Sequence, residues 1–153
     1  MSTYLIDTNI LARLVVRSDP LRSVVKAAIR HLGQQAAAMR IASQNIIELW
    51  AVATRPVGAN GLGLSTTRTA EEIDRIQSIF AMLDDPSGTF QRWRQLVQRH
   101  DVKGRQVYDA RLAAIMIESG IEQILTFNID DFRRFPGVTP ISPSSLTTPS
   151  PDA

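Results

Sequence analysis

Tyr4-Leu5-Ile6-Asp7-Thr8-Asn9 is the stretch on which the fold turns. Three apolar residues suit a short strand buried in a parallel sheet, and such a strand presents its functional group at its C-terminal end, where Asp7 stands. Thr8 and Asn9 are helix-capping types, so a helix over residues 8–16 follows directly. Strand, carboxylate and helix in succession are the opening of an α/β unit.

Three further carboxylates stand where an apolar core is expected. They are Glu48 in Asn45-Ile46-Ile47-Glu48-Leu49-Trp50, Asp109 in Val107-Tyr108-Asp109-Ala110, and Asp131 in Asn128-Ile129-Asp130-Asp131-Phe132. Buried charge is costly unless it is paired or binds a metal. Those segments contain no basic partner, so a divalent cation is the natural counter-charge. Two carboxylates 4 Å apart repel by roughly 4 kcal/mol at an effective dielectric near 20, and oxygen-only ligation favours Mg²⁺ or Mn²⁺ over softer ions. A hydrolytic metal centre is the reading that these residues favour.

The rest of the chain extends the alternation. Asp19-Pro20 starts a helix over residues 21–35, residues 39–42 read as a strand, and Ser43 is placed to cap a helix over 44–54 that ends at Arg55-Pro56. Residues 57–64 form a loop around Asn60-Gly61, and Ser65-Thr66 cap a helix through Met82. Asp84-Asp85-Pro86-Ser87-Gly88 is a turn, after which Phe90, Trp93, Leu96 and Val97 recur at helical spacing. Residues 106–119 form a helix closed by Gly120, apolar nearly all round and hence largely buried, Tyr108 included. Residues 124–126 are a strand, 130–135 a helical turn and 138–141 the last strand. Residues 143–153, rich in Pro, Ser and Thr, are expected to be a disordered tail. The pattern predicts one domain over residues 1–142, an α/β/α sandwich with a mainly parallel, short-stranded central sheet and helices on both faces.

Composition narrows the chemistry. The 153 residues include no cysteine, which removes disulfides, thiolate-bound zinc and a thiol nucleophile together. The first residues carry no signal peptide and no apolar run reaches the length of a membrane span, so a cytoplasmic protein without a membrane partner is expected. Net charge is only +2, but 15 of the 17 basic residues are arginine, whose guanidinium forks match phosphate oxygens. A basic exterior around an acidic pocket is what a metal-dependent nuclease needs. Arg133-Arg134, beside Asp131, read either as RNA phosphate contacts or as a solvated charge pair. His31 and His100 have no nucleophile or carboxylate at a suggestive spacing. Gly58, Gly61 and Gly63 precede no phosphate-loop lysine.

In order and spacing, four fragments resemble the PIN-domain ribonucleases, and among them the VapC-type toxins of bacterial toxin-antitoxin pairs. They are Leu5-Ile6-Asp7-Thr8-Asn9-Ile10-Leu11, Glu48-Leu49-Trp50-Ala51-Val52 with Thr54-Arg55-Pro56, Asp109-Ala110-Arg111-Leu112-Ala113-Ala114, and Leu125-Thr126-Phe127-Asn128 with Asp131-Phe132. The resemblance implies a Mg²⁺- or Mn²⁺-dependent endoribonuclease in which Asp7, Glu48, Asp109 and Asp131 form the catalytic, metal-binding pocket, supported by Thr8, Asn9, Thr126 and Asn128. Asp7 and Asp109 would be the firmest ligands and Glu48 would ligate or orient water. The family often has aspartate where Asn128 stands, which lowers the pocket's charge here by one. Homodimers and inhibition by a small antitoxin are further implications. Two rivals are a catalytically idle PIN module that binds RNA or protein, and a haloacid dehalogenase-type phosphatase. The phosphatase needs a second aspartate two residues beyond Asp7, where this chain has Asn9.

Overall fold

The predicted N-terminal strand forms as β1 (Thr3–Ile6) and lies at the centre of the molecule. A computed structural model of the protein describes residues 2–147. β1 pairs in parallel with β2 (Ala38–Ile41) on one side and with β4 (Gln123–Leu125) on the other. β3 (Ala81–Met82) extends the sheet beyond β2 and β5 (Thr139–Ile141) beyond β4, giving the order β3-β2-β1-β4-β5 with every pair parallel. The chain therefore winds outward from β1 in one direction and then in the other. In such sheets the crevice at the carboxyl ends of the two strands flanking the reversal, here β1 and β4, is where ligands bind.

The period-two alternation of the strands divides the core into two layers. Tyr4, Ile6, Ile41 and Leu125 face a cluster completed by α1 (Thr8–Val15), α2 (Arg22–Gln34), α3 (Ser43–Thr54) and α4 (Thr66–Ile79), with Ile10, Leu11, Val25, Leu32, Leu49 and Ile76 buried in it. Leu5 and Ile124 face the opposite cluster, built with α5 (Thr89–Arg99), α6 (Gln106–Ser119) and α7 (Ile129–Arg133). Ala110 and residues 112–116 are all buried, as the apolar reading of α6 predicts. Gly120 takes φ +70° and closes that helix, with the amides of Gly120 and Ile121 donating to Ile117 and Met116 carbonyls at 3.2 and 2.8 Å.

Four expectations need correction. The helix after Ser65 stops at Ile79 instead of running through Met82, because Phe80 turns into the core and the next two residues pair with Arg40 and Ile41 as β3. Both β3 residues are exposed, so no hydrophobic pattern marks this edge strand. Asp7, not Thr8 or Asn9, caps α1, and α3 is capped from within by Asn45, whose Oδ1 accepts from the Ala42 amide at 2.8 Å. Tyr108, expected among the buried residues of α6, is exposed.

The fourth concerns the tail. Residues 143–147 form a helix, α8 (Pro143–Thr147), that packs on α2 and sets Leu146 against the core; residues 148–153 of the expected disordered segment lie outside the described residues. Truncation after Ser142, which the composition suggests is harmless, is therefore expected to cost about 1–2 kcal/mol, the burial of part of one leucine and its neighbours. A thermal melt unchanged by the truncation would show that α8 contributes no stability. Among the described residues no helix is long and apolar enough to cross a membrane.

Candidate active site

Asp7 leaves the end of β1 with its amide donating to the Leu125 carbonyl at 3.0 Å, which ties it to β4 across the crevice. Both carboxylate oxygens are engaged: Oδ1 accepts from the Thr8 amide and Oδ2 from the Thr126 hydroxyl, each at 2.8 Å. The Thr126 hydroxyl in turn accepts from Asn9 Nδ2 at 3.2 Å and from the Asn128 amide at 2.9 Å. Its two lone pairs are thus filled and its proton has one destination, Asp7. Thr8, Asn9, Thr126 and Asn128 all assemble around this one carboxylate.

Glu48 reaches the same place from α3. Its Oε2 accepts from Thr8 Oγ1 at 2.8 Å and its Oε1 from Gln44 Nε2 at 2.7 Å. Gln44 cannot flip, because its second amide proton goes to the Tyr108 carbonyl at 2.8 Å and its Oε1 accepts from Arg111 Nη1 at 2.9 Å. Arg111 is itself held by Asp85 at 3.1 Å. Asn45 donates to Thr8 Oγ1 at 3.2 Å, so two side chains on the first turn of α3 and one on α1 fix the aim of Glu48.

Asp109, in the first turn of α6, and Asp131, in α7, complete the lining of a pocket of about 730 Å³ that also contains Asp7, Glu48, Asn9 and Asn128. Neither carboxylate has a hydrogen-bond or ion-pair partner among the described residues. Of the two adjacent aspartates only Asp131 lines the pocket; Asp130 is exposed and pairs with Arg133 at 3.2 Å. The four carboxylates predicted from four separate segments therefore share one cavity at the switch point of the sheet.

Their charges are felt mutually. Burial pushes the Asp7 carboxyl up to about 6, with hydrogen bonds from Thr126 and Thr8 opposing it and the charges of Glu48 and Asp131 adding to it. Asp109 is pushed up to about 7, first by burial and then by Asp7, Asp131 and Glu48. For both groups the folded state holds a proton more tightly than the unfolded chain, so the stability that these two groups contribute without metal is greatest at low pH. It falls as pH rises from about 4 through 6 and 7 and is flat above. For the buried Asp7 the loss is about 3 kcal/mol. Melting temperatures in EDTA between pH 4 and pH 8 check this, and a metal-free protein more stable at pH 8 than at pH 5 would contradict it.

The donor set is all oxygen, the charge is concentrated and the carboxyls resist joint ionisation, which together fit a hard divalent cation. Among the described residues no three acidic or imidazole side chains stand ready to chelate one ion. Each carboxylate oxygen of Asp7 and Glu48 accepts one hydrogen bond and keeps a lone pair that could meet a cation.

Some functional positions escape a reading by segment. Arg13, Arg55, Arg105 and Tyr108 line the pocket. Arg13 shares a helix face with Asn9, four residues earlier, and Gln44 shares one with Glu48, so helical spacing marks these two. Nothing local marks Arg55 or Arg105. Arg133 and Arg134, expected to meet RNA, do not line the pocket: Arg133 pairs with Asp130, while Arg134 donates to Gln106 Oε1 at 2.6 Å and to the His100 carbonyl and lies over Phe135.

Comparison with known proteins agrees with this architecture. The VapBC2 structure from Rickettsia felis bound to a promoter DNA fragment matches with a TM-score of 0.70 at 16% identity, over 92% of this chain and 98% of that one. VapC20 of Mycobacterium tuberculosis, a sarcin-ricin loop cleaving toxin, matches at 0.62 and 18% identity, over 85% and 92%. A toxin-antitoxin complex from Klebsiella pneumoniae matches at 0.60 and 23%, over 92% and 97%. These likenesses are of fold. No curated protein matches the chain. The sequence profile of the PIN domain, however, matches residues 4–138, which span β1, the pocket and both core layers, and the chain belongs to the PIN domain family.

Proposed function

We propose that this PIN domain is a divalent-metal-dependent endoribonuclease, the toxin of a toxin-antitoxin pair. The observation that carries the reading is the convergence of Asp7, Glu48, Asp109 and Asp131 in one pocket at the sheet's switch point. Membership of the PIN family supports nuclease chemistry. Structural kinship with VapC proteins, one of them a sarcin-ricin loop cleaving toxin, supports an RNA substrate and an antitoxin partner, and the reading carries with it a cytoplasmic homodimer.

Asp7 and Asp109 would hold Mg²⁺ or Mn²⁺, with Glu48 and Asp131 completing the acidic set. Bound there, such an ion would supply polarisation of the phosphodiester and a lowered pKa of water. The protein's own contribution is orientation. Thr126 and the Thr8 amide hold Asp7, while Thr8 and Gln44 hold Glu48 in position to receive a proton from an attacking water. Attack by water in line with the leaving 3′-oxygen breaks the P–O3′ bond, and that oxygen takes up a proton from solvent, giving a 5′-phosphate and a 3′-hydroxyl with no covalent enzyme intermediate. Asn128 takes part as a neutral side chain.

Purified protein is expected to cleave single-stranded or loop RNA with Mg²⁺ or Mn²⁺ and to stop when EDTA is added. Cleavage that persists under full chelation would end the metal assignment, and 2′,3′-cyclic phosphate ends would place the protein in another class. RNA binding without cleavage under any divalent ion would favour the idle-module reading.

A further inference from the structure

We infer that the rim of this pocket is a subsite for single-stranded RNA beside the scissile bond, with Tyr108 stacking one unpaired nucleobase and Arg55 and Arg105 holding backbone phosphates. The inference rests on the RNA reading above and adds to it the residues that select the strand. Tyr108 immediately precedes Asp109, lines the same pocket and is 59% exposed, whereas Leu112, Ile115 and Met116 of the same helix are buried. Its hydroxyl has no hydrogen bond among the described residues. Its backbone is nonetheless fixed, since its carbonyl accepts from the buried Gln44 amide at 2.8 Å. A large, exposed ring on a fixed backbone beside a carboxylate cluster is a stacking platform.

The two arginines differ from most of their kind around the site. Arg13 is paired with Asp19, Arg111 with Asp85 and Arg133 with Asp130, and Arg134 is held by Gln106 and the His100 carbonyl. Arg55 and Arg105 line the acidic pocket, and their guanidinium groups pair with no acid and donate no hydrogen bond among the described residues. Arg55 is also braced: its carbonyl accepts from the Gly63 amide at 2.8 Å, and a Cβ on Gly61 would lie 2.0 Å from that carbonyl oxygen, so only glycine fits there. Four carboxylates in the pocket repel a phosphodiester, and unpaired arginines lining the same pocket are the groups that offset this repulsion. Stacking on Tyr108 requires a base free of its neighbours, which selects single strands and loops over duplex.

The test is binding of a fluorescent RNA hexamer by anisotropy, in EDTA so that no cleavage occurs, across a salt series starting near 50 mM. Arg55→Gln with Arg105→Gln should flatten the dependence of log Kd on log salt by about 1.4, two single-strand phosphates' worth, whereas Arg133→Gln should leave the slope as it is. Tyr108→Ala should weaken binding about tenfold and erase the preference for the hexamer over an abasic strand of equal length; Tyr108→Phe should keep both. If the wild-type protein binds and cleaves RNA while the rim variants match it, the subsite is wrong and the nuclease reading stands. Failure of the wild-type protein to bind or cleave RNA with Mg²⁺ or Mn²⁺ present would overturn both.

Discussion

Asp109→Asn is expected to melt higher than the wild-type protein in EDTA at pH 8, to show no rise in melting temperature on adding Mg²⁺, and to lose RNA cleavage by about 10²–10³-fold, the scale for removing one preorganised electrostatic group. The substitution removes a charge that burial and three neighbouring carboxylates disfavour, and no protein hydrogen bond is lost, because the Asp109 carboxylate has none among the described residues. The stability gain should disappear near pH 5, where the wild-type carboxyl, pushed up to about 7, carries its own proton. Melting curves at the two pH values, with and without Mg²⁺, read all of this before any RNA is added. An Asp109→Asn variant that melts lower than wild type at pH 8 and still cleaves would sink the assignment of Asp109 as a metal ligand.

The acidic pocket is legible in the sequence because charge inside an apolar segment is a local anomaly. Asp7, Glu48 and Asp109 each interrupt apolar neighbours, and the switch-point rule says where β1 delivers Asp7, the position on which the helix-borne carboxylates converge. The hydrogen-bond relay behind Glu48 is only half legible: Gln44 lies one turn away on the same helix, but its restraint comes from Tyr108 and Arg111, more than 60 residues distant. Arg55 and Arg105 carry no local signature, since an arginine at a helix end or in a loop looks the same whether it faces solvent or a pocket. β3 is hidden for the same physical reason: two exposed residues held by main-chain pairing leave no pattern in side-chain polarity. The tail misleads because composition counts apolar residues without seeing that one of them, Leu146, packs against the core where α8 meets α2.

Asp7→Asn should lose cleavage and the Mg²⁺-induced rise in melting temperature as completely as Asp109→Asn, but without that variant's gain in stability. Asparagine is as good an N-cap as aspartate, so the Thr8 amide keeps its acceptor if Oδ1 faces it. The side-chain NH₂ then points at the Thr126 hydroxyl, whose lone pairs are already taken by Asn9 and the Asn128 amide. Flipping the amide moves the conflict to the Thr8 amide; one donor faces another either way, at about 1–3 kcal/mol. Against this stands the relief of burying a charge, about 3 kcal/mol above pH 6 and nothing well below it. The two nearly cancel at pH 8, and the conflict stands alone at pH 5. The Asp7→Asn variant should thus be clearly less stable than wild type at pH 5 and close to it at pH 8, a pH trend shared with Asp109→Asn but displaced downward. If the two variants are stabilised equally at pH 8 in EDTA, the Thr126 hydroxyl does not dictate the acceptor at position 7, and Asp7 is held by charge alone.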